Sequence, residues 1–146
     1  MRYHIRLRMR RIVIDTNVLV SGLRSRHGAS NKLLSLIGTD MFVTAISVPL
    51  MLEYEEAALR QVDALSLSRG EVIEIVDFIC AHSEEQPIYY LWRPSLPDPK
   101  DHHVLEIAVA ARCDTIVTFN RADFPDVDRF GIRLQTAGAF LKEINR

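Results

Sequence analysis

Acidic side chains stand beside the predicted strands and helices at positions where folding would bring them together. Asp15 follows the apolar run 12–14, Asp123 follows the run 115–119, and Asp101 begins a helical segment. In parallel sheets, ligands bind beyond the carboxyl ends of the strands, so these acids are expected at one edge. Neighbouring carboxylates repel one another unless a cation neutralises them, and oxygen ligands suit Mg²⁺ or Mn²⁺. The sequence therefore predicts a site for one of these divalent cations.

The apolar residues after Asp101 predict the direction of its side chain. Val104, Leu105 and Ala108 follow it by three, four and seven positions. Asp101 therefore shares the core-facing stripe of its own helix. An acid that served only the helix dipole would do so equally well from the outer face, so Asp101 is expected to serve the site. Asp98 is expected to cap the helix instead.

Another predicted helix, over 47–60, offers a choice between acids. Glu53 lies on one border of its apolar arc and Glu55 on the other, with Glu56 farther out. The helical period does not choose between Glu53 and Glu55, whereas Glu56 is expected to be solvated.

Short apolar runs alternate with helical segments along the chain. Strands are predicted over 11–15, 41–45, 115–119 and 132–134, and helices over 31–37, 47–60, 68–82, 99–112 and 137–144. Ser68 and Glu71 have the spacing of a capping box. Residues 21–30 are expected to form a loop, 87–91 a strand or extended segment, and 92–99 a proline-rich loop. The alternation predicts an α/β domain whose parallel sheet is covered by helices on both faces.

Composition and charge exclude several classes of protein. The 146 residues, 48% of them hydrophobic, are typical of one globular domain. Lysine and arginine together number 18 and the acids 19, so no global positive charge would hold nucleic acid. The most apolar stretch, 41–52, is shorter than the ~20 residues of a membrane helix. Cys80 and Cys113 are too few for a disulfide framework and are expected to be free thiols of a cytoplasmic protein.

The first ten residues have a charge pattern of their own. Apolar and basic residues alternate over 2–10, and no acid precedes Asp15. Residues 1–10 are expected to be a basic extension, either disordered or upstream of a true start at Met9. Its functional interpretation is an arm for RNA or for an acidic partner.

Four spaced segments together resemble a known family. Val13–Leu19, Leu52–Tyr54, Asp98–Ala108 and Ile116–Phe124 are similar to the motifs of PIN-domain ribonucleases, and nearest to the VapC-like toxin components of bacterial toxin–antitoxin pairs. The resemblance implies a single PIN-like domain over 11–146. Its expected fold has three layers, α/β/α, around a central and mainly parallel sheet.

The resemblance also implies an activity and the residues that perform it. Such domains are Mg²⁺- or Mn²⁺-dependent endoribonucleases, and the resemblance selects Glu53 over Glu55. It assigns the catalytic acids as Asp15, Glu53, Asp101 and Asp123, the metal ligands as Asp15, Asp101 and Asp123, and the groups that orient an acid or a water molecule as Thr16, Asn17, Thr118 and Asn120. Asn120 stands where many relatives have an acid.

Binding partners follow from the same region and the same resemblance. Arg24, Arg26, Lys32 and Arg121 are expected to contact RNA phosphates, and Trp92 or Tyr89 to stack on a splayed base. The resemblance further implies a cognate antitoxin that blocks the acidic site and a homodimer, while the short apolar stretch predicts no association with a membrane.

Two other functions stay open on the residues alone. An aspartyl-phosphate phosphatase would use Asp15 as its nucleophile, but that chemistry usually needs a second acid two positions later, where this chain has Asn17. A module that binds RNA or a partner with weak or no catalysis is compatible with the neutral Asn120. Trapping of a phosphoenzyme would identify the first, and RNA binding without cleavage the second.

Overall fold

The structure, a computed structural model, describes residues 9–87 and 101–145, which form five parallel strands flanked by six α-helices. The strands are β1 (Arg11–Ile14), β2 (Val43–Ile46), β3 (Glu84–Glu85), β4 (Thr115–Val117) and β5 (Arg133–Gln135). The helices are α1 (Thr16–Arg24), α2 (Ala29–Ser35), α3 (Val48–Arg60), α4 (Arg69–Ala81), α5 (Asp101–Ala110) and α6 (Ala137–Ile144). Single 3₁₀ turns occupy Val62–Ala64, Arg121–Asp123 and Val127–Phe130. The predicted α/β fold with a parallel central sheet is confirmed.

The strand order places β1 at the centre of the sheet. The order is β3-β2-β1-β4-β5, and Ile12 of β1 pairs with Thr44 on one side and Thr115 on the other. The chain moves outward from β1 to β2 and β3, then crosses to β4 on the opposite side. Ligands in such sheets bind where the direction reverses, here beyond the carboxyl ends of β1 and β4.

Buried aliphatic residues hold the helices against both faces of this sheet. The three central strands β1, β2 and β4 are almost entirely inaccessible to solvent, as expected for a sheet covered on both sides. Fully buried side chains from the helices include Val18, Leu33, Leu50, Val72 and Ile107. The core is therefore continuous from the sheet into its flanking helices.

Side-chain caps fix where several helices begin. Ser47 caps α3, and Ser68 and Glu71 form the predicted capping box at the start of α4. Such a cap stabilises a helix by about 1 kcal/mol. Because Ser47 starts α3 directly after β2, the first turns of α3, which carry Glu53, lie beyond the carboxyl edge of the sheet.

The segment after β1 differs from the sequence prediction. A loop is predicted over 21–30, whereas α1 continues to Arg24 and α2 begins at Ala29. Gly22 is buried between these two helices, and a Cβ on it would lie 2.6 Å from Leu34 Cδ1. This glycine therefore serves close helix packing rather than a loop. The predicted extended segment over 87–91 lies outside the described residues except for Pro87, and β3 comes before it.

At the amino edge of the sheet, arginines neutralise the acids. The Arg10 guanidinium lies 2.6 Å from an oxygen of Asp114 and 2.7 Å from one of Glu143, and it covers the ring of Phe140. Arg11 lies 2.8 Å from a carboxylate oxygen of Glu84. The guanidinium of Arg10 holds the pKa of Glu143 below its ordinary value. Residues 1–8 of the predicted extension lie outside the described residues.

The two cysteines are free thiols, as predicted. Burial raises the pKa of Cys80 to about 11 and that of Cys113 to about 12, so neither is a reactive thiolate near neutral pH. Among the described helices, none is long and apolar enough to cross a bilayer.

Candidate active site

Asp15 and Thr118 meet at the reversal point of the sheet. Asp15 follows β1 and is only 6% exposed, while Thr118 follows β4 and is fully buried. The Thr118 hydroxyl donates to Asp15 Oδ2 over 2.7 Å, and the Thr16 amide donates to Asp15 Oδ1 over 2.9 Å. These two bonds fix the carboxylate orientation. The Thr118 hydroxyl also accepts a hydrogen bond from the main-chain amide of Asn120, which places Asn120 beside the same acid.

Glu53 approaches this acid from α3. Its carboxylate accepts a hydrogen bond from the Thr16 hydroxyl, so Thr16 contacts both acids, one through its amide and the other through its side chain. The buried Tyr54 hydroxyl donates to the main-chain carbonyl of Ile14, at the end of β1. Burial raises the Tyr54 pKa well above its ordinary value, which keeps this donor protonated. The bond ties the helix that carries Glu53 to the strand that ends at Asp15.

A pocket of about 450 Å³, here called the acid pocket, opens over these groups. Its lining includes Asp15, Thr16, Asn17, Glu53, Glu56, Arg60, His103, Asn120 and Asp123, with Pro49, Leu52 and Ala57 as the apolar part. The structure thus brings together three of the four predicted catalytic acids. Asp101 begins α5, but its side chain lies outside the described residues.

The surroundings of Asp15 in the acid pocket disfavour its ionised form. The Asp15 pKa is raised above its ordinary value, first by burial and then by the charges of Glu53 and Asp123. The hydrogen bonds from Thr118 and Thr16 act in the opposite direction. Since the carboxylate form carries a free-energy cost here, a nearby cation would stabilise it.

The oxygen atoms of this pocket fit a hard divalent cation. Among the buried side-chain nitrogen and oxygen atoms of the described residues, Asn17 Oδ1 is the one without a hydrogen-bond partner. Buried polar atoms are nearly always satisfied, so such an atom points to an absent ligand or water. No three His, Cys, Asp or Glu side chains of the described residues are spaced to hold a metal by themselves.

The predicted RNA-contacting residues lie on separate segments of the chain and do not line the acid pocket. Arg24 ends α1, Arg26 lies in the following loop, and Lys32 is exposed on α2. Arg121 is exposed on the turn after β4 and lines a different depression from the acid pocket. The stacking residues predicted from the sequence, Trp92 and Tyr89, lie outside the described residues.

Two residues at or beside the site were not identified from the sequence. Tyr54 was assigned only to the apolar arc of its helix, because a single phenol gives no sign that it will reach a main-chain carbonyl. Phe119 was taken as the end of a buried strand, yet β4 ends at Val117 and Phe119 is 49% exposed. Its position directly after Thr118, at the carboxyl end of a strand, was the available signal.

Comparison with known proteins shows similarity to a sequence family and to a chain of a solved complex. The profile of the PIN domain matches residues 11–122. A chain in the crystal structure of VapBC2 from Rickettsia felis, bound to a DNA fragment from their promoter, has a similar fold with a TM-score of 0.55. The two chains are 16% identical, and the match covers 86% of this chain and 98% of that one. Among curated proteins, no sequence matches the chain.

Proposed function

Because the chain belongs to the PIN domain family, we propose that it is a metal-dependent endoribonuclease acting on RNA in the cytoplasm. The observation that supports this most is the buried Asp15 carboxylate, which shares the acid pocket with Glu53 and Asp123. Among the described residues, no arginine or lysine pairs with these three acids. An acidic cluster of this kind is suited to binding a divalent cation.

In this proposal Asp15, Asp101 and Asp123 hold Mg²⁺ or Mn²⁺. Such an ion lowers the pKa of a bound water and neutralises charge on a phosphate. Glu53, oriented by Thr16, takes the proton as the water oxygen bonds to phosphorus and the bond to the leaving oxygen breaks. The leaving oxygen then takes a proton from solvent.

The neighbouring polar groups and cations have supporting roles. Thr118 keeps Asp15 oriented, while the amide side chains of Asn17 and Asn120 orient the water. Arg24, Arg26, Lys32 and Arg121 contact phosphates of the RNA. Since phosphate contacts supply affinity without sequence information, these cations hold the strand in register with the acids.

Cleavage of a single-stranded RNA by the purified chain tests the proposal. We expect cleavage with Mg²⁺ or Mn²⁺, none in EDTA, and a loss of more than about 100-fold for Asp15→Asn, since weaker changes around metal ligands already cost 10- to 100-fold. Asp77→Asn, which removes an exposed acid on α4, is the matched control and should keep full activity. Full activity of Asp15→Asn would refute the assignment.

The same assay separates the rival functions. The chain has Asn17 at the position where an aspartyl-phosphate phosphatase usually needs a second acid, which disfavours the phosphatase. A trapped phosphoenzyme would nevertheless establish the phosphatase. Metal-independent RNA binding without cleavage would establish the weak or inactive binding module. The neutral Asn120 is the feature that favours this alternative.

We also propose that the chain is the toxin of a toxin–antitoxin pair, acts as a homodimer and is blocked by a cognate antitoxin. The support is the fold similarity to a chain of the VapBC2 complex. Expression of the chain should arrest growth, and co-expression of a small neighbouring reading frame should relieve the arrest. Arrest by the Asp15→Asn variant would contradict a nuclease-based toxin.

A further inference from the structure

A second depression adjoins the acid pocket and shares part of its wall. This aromatic groove, about 480 Å³ in volume, is lined by Phe119, Arg24 and Gln61, and it shares Thr16, Asn17 and Ala57 with the acid pocket. A molecule whose reacting bond lies over Asp15 would therefore extend naturally into the groove.

The groove offers an aromatic surface beside a cation. Phe119 is 49% exposed, so a large apolar ring lies partly open to solvent in this groove. Arg24 donates a hydrogen bond to the Gln61 side chain, a neutral partner, and among the described carboxylates none pairs with it. By contrast, Arg60 on the acid pocket is paired with Glu56 at 2.6 Å. The charge of Arg24 is thus available to an anion.

A third, basic groove continues from Arg24 away from the acids. It is lined in part by Arg24, Arg26, His27 and Asn31, and has a volume of about 440 Å³. The three depressions form a continuous row. The acid pocket shares Thr16, Asn17 and Ala57 with the aromatic groove, and the aromatic groove shares Arg24 with the basic groove. This order matches the chemistry of one polynucleotide strand, with a phosphate at the acids, a base on the ring and further phosphates at the arginines.

We propose that the aromatic groove binds an unpaired nucleotide next to the scissile phosphate, with its base stacked on Phe119 and its phosphate contacted by Arg24. The inference rests on the proposed nuclease function and adds a requirement to it. A base held in a duplex is stacked on both faces and cannot lie on the ring, so the substrate must be single-stranded at this position. Stacking tolerates any base, so Phe119 selects for unpaired structure rather than for sequence.

Binding of short RNA probes that carry 2-aminopurine tests this proposal directly. Hexanucleotides with the fluorescent base at each position in turn are titrated, in EDTA, into the wild type, Phe119→Leu, Phe119→Trp and the matched control Phe130→Leu. Phe130 is similarly exposed but lines none of the three grooves. We expect quenching of the probe and a loss of affinity of roughly 5- to 150-fold in Phe119→Leu, with affinity kept in Phe119→Trp and Phe130→Leu. Pairing the probe with its complement should abolish the quenching.

The outcomes separate this proposal from the nuclease proposal. If the wild type cleaves RNA in Mg²⁺ and Phe119→Leu binds and cleaves like the wild type, the groove proposal is wrong and the nuclease stands. If the probe is quenched through Phe119 but no metal supports cleavage, the nuclease proposal fails and the groove stands. If Phe119→Leu loses only the binding of a co-expressed antitoxin, Phe119 is a protein contact and the groove proposal is overturned. Thermal unfolding of each variant confirms that it is folded.

Discussion

The two edges of the central sheet treat their acidic residues in opposite ways. At the amino edge, Asp114 and Glu143 pair with Arg10, and the pKa of Glu143 is lowered. At the carboxyl edge, burial and, to a smaller extent, the charges of Glu53 and Asp123 raise the pKa of Asp15. Paired acids fasten strands and helices together, whereas crowded acids without cations cost stability and imply a ligand. The difference supports the proposal that the amino edge serves folding and the carboxyl edge serves chemistry.

The largest effect that tests this comparison is expected within α3, which carries two acids that the helical period alone did not distinguish. Glu53 lines the acid pocket, while the charge of Glu55 acts on the Cys80 thiol of α4. Glu53→Gln should lower the rate of RNA cleavage by about 10²- to 10⁴-fold, the range for loss of a general base. Glu55→Gln, the matched control, should keep its activity. Equal losses in both variants would show that Glu53 has no special role.

At the amino edge, loss of a cation should affect stability rather than chemistry. Arg10→Met removes two ion pairs and hydrogen bonds to Thr115 and Gln135, so the free energy of unfolding should fall by about 2–3 kcal/mol. Urea denaturation measures this, with the exposed Arg129→Met as a control that should change little. Activity per folded molecule should be unchanged, and a selective loss of kcat would mean that the edges are not functionally distinct.

The effect of Asp15→Asn on the free energy of unfolding should depend on pH. Because the folded pKa of Asp15 is raised, the metal-free folded protein binds this proton more readily than the unfolded chain. Its contribution to stability is therefore present at low pH and is lost as pH rises through the raised pKa. In EDTA at neutral pH, the variant should be more stable than the wild type by about 0.5–2 kcal/mol.

Low pH and added metal provide the controls for that measurement. The advantage of Asp15→Asn should shrink below the ordinary pKa of an aspartate, where both proteins are neutral at this position. Mg²⁺ should stabilise the wild type by binding to its folded form and leave the variant nearly unaffected. A variant that is less stable than the wild type in EDTA at every pH would show that Asp15 is an ordinary structural acid.

The fold was largely predictable because its signals are local. Alternating apolar runs and helical segments predicted the parallel sheet, and Ser68 with Glu71 form the capping box that their spacing predicts. The resemblance to PIN domains is confirmed by the family match. The helix α1 was missed because Gly22 and its neighbours are typical of loops. The reason for this glycine is contact with Leu34, a residue of another helix, which no local pattern contains.

The sequence predicted three acids that share the pocket and the threonines Thr16 and Thr118 that contact them, but not every residue beside the site. Acids at strand ends have a general reason to be there, and the resemblance chose Glu53, which lies in the acid pocket. The roles assigned to them remain predictions. Tyr54 and Phe119 escaped because their contacts depend on how α3 and the end of β4 lie against their neighbours, a tertiary property.

The Tyr54 bond has a consequence for sequence change in this region. Its acceptor is the main-chain carbonyl of residue 14, which every amino acid supplies. Position 14 can therefore vary among side chains that fill the same space without loosening the link. Position 54 has no such freedom, because a phenylalanine there would leave the carbonyl of residue 14 without this hydrogen-bond donor, and a shorter donor would not reach it. We therefore expect substitutions to be tolerated at position 14 but not at position 54.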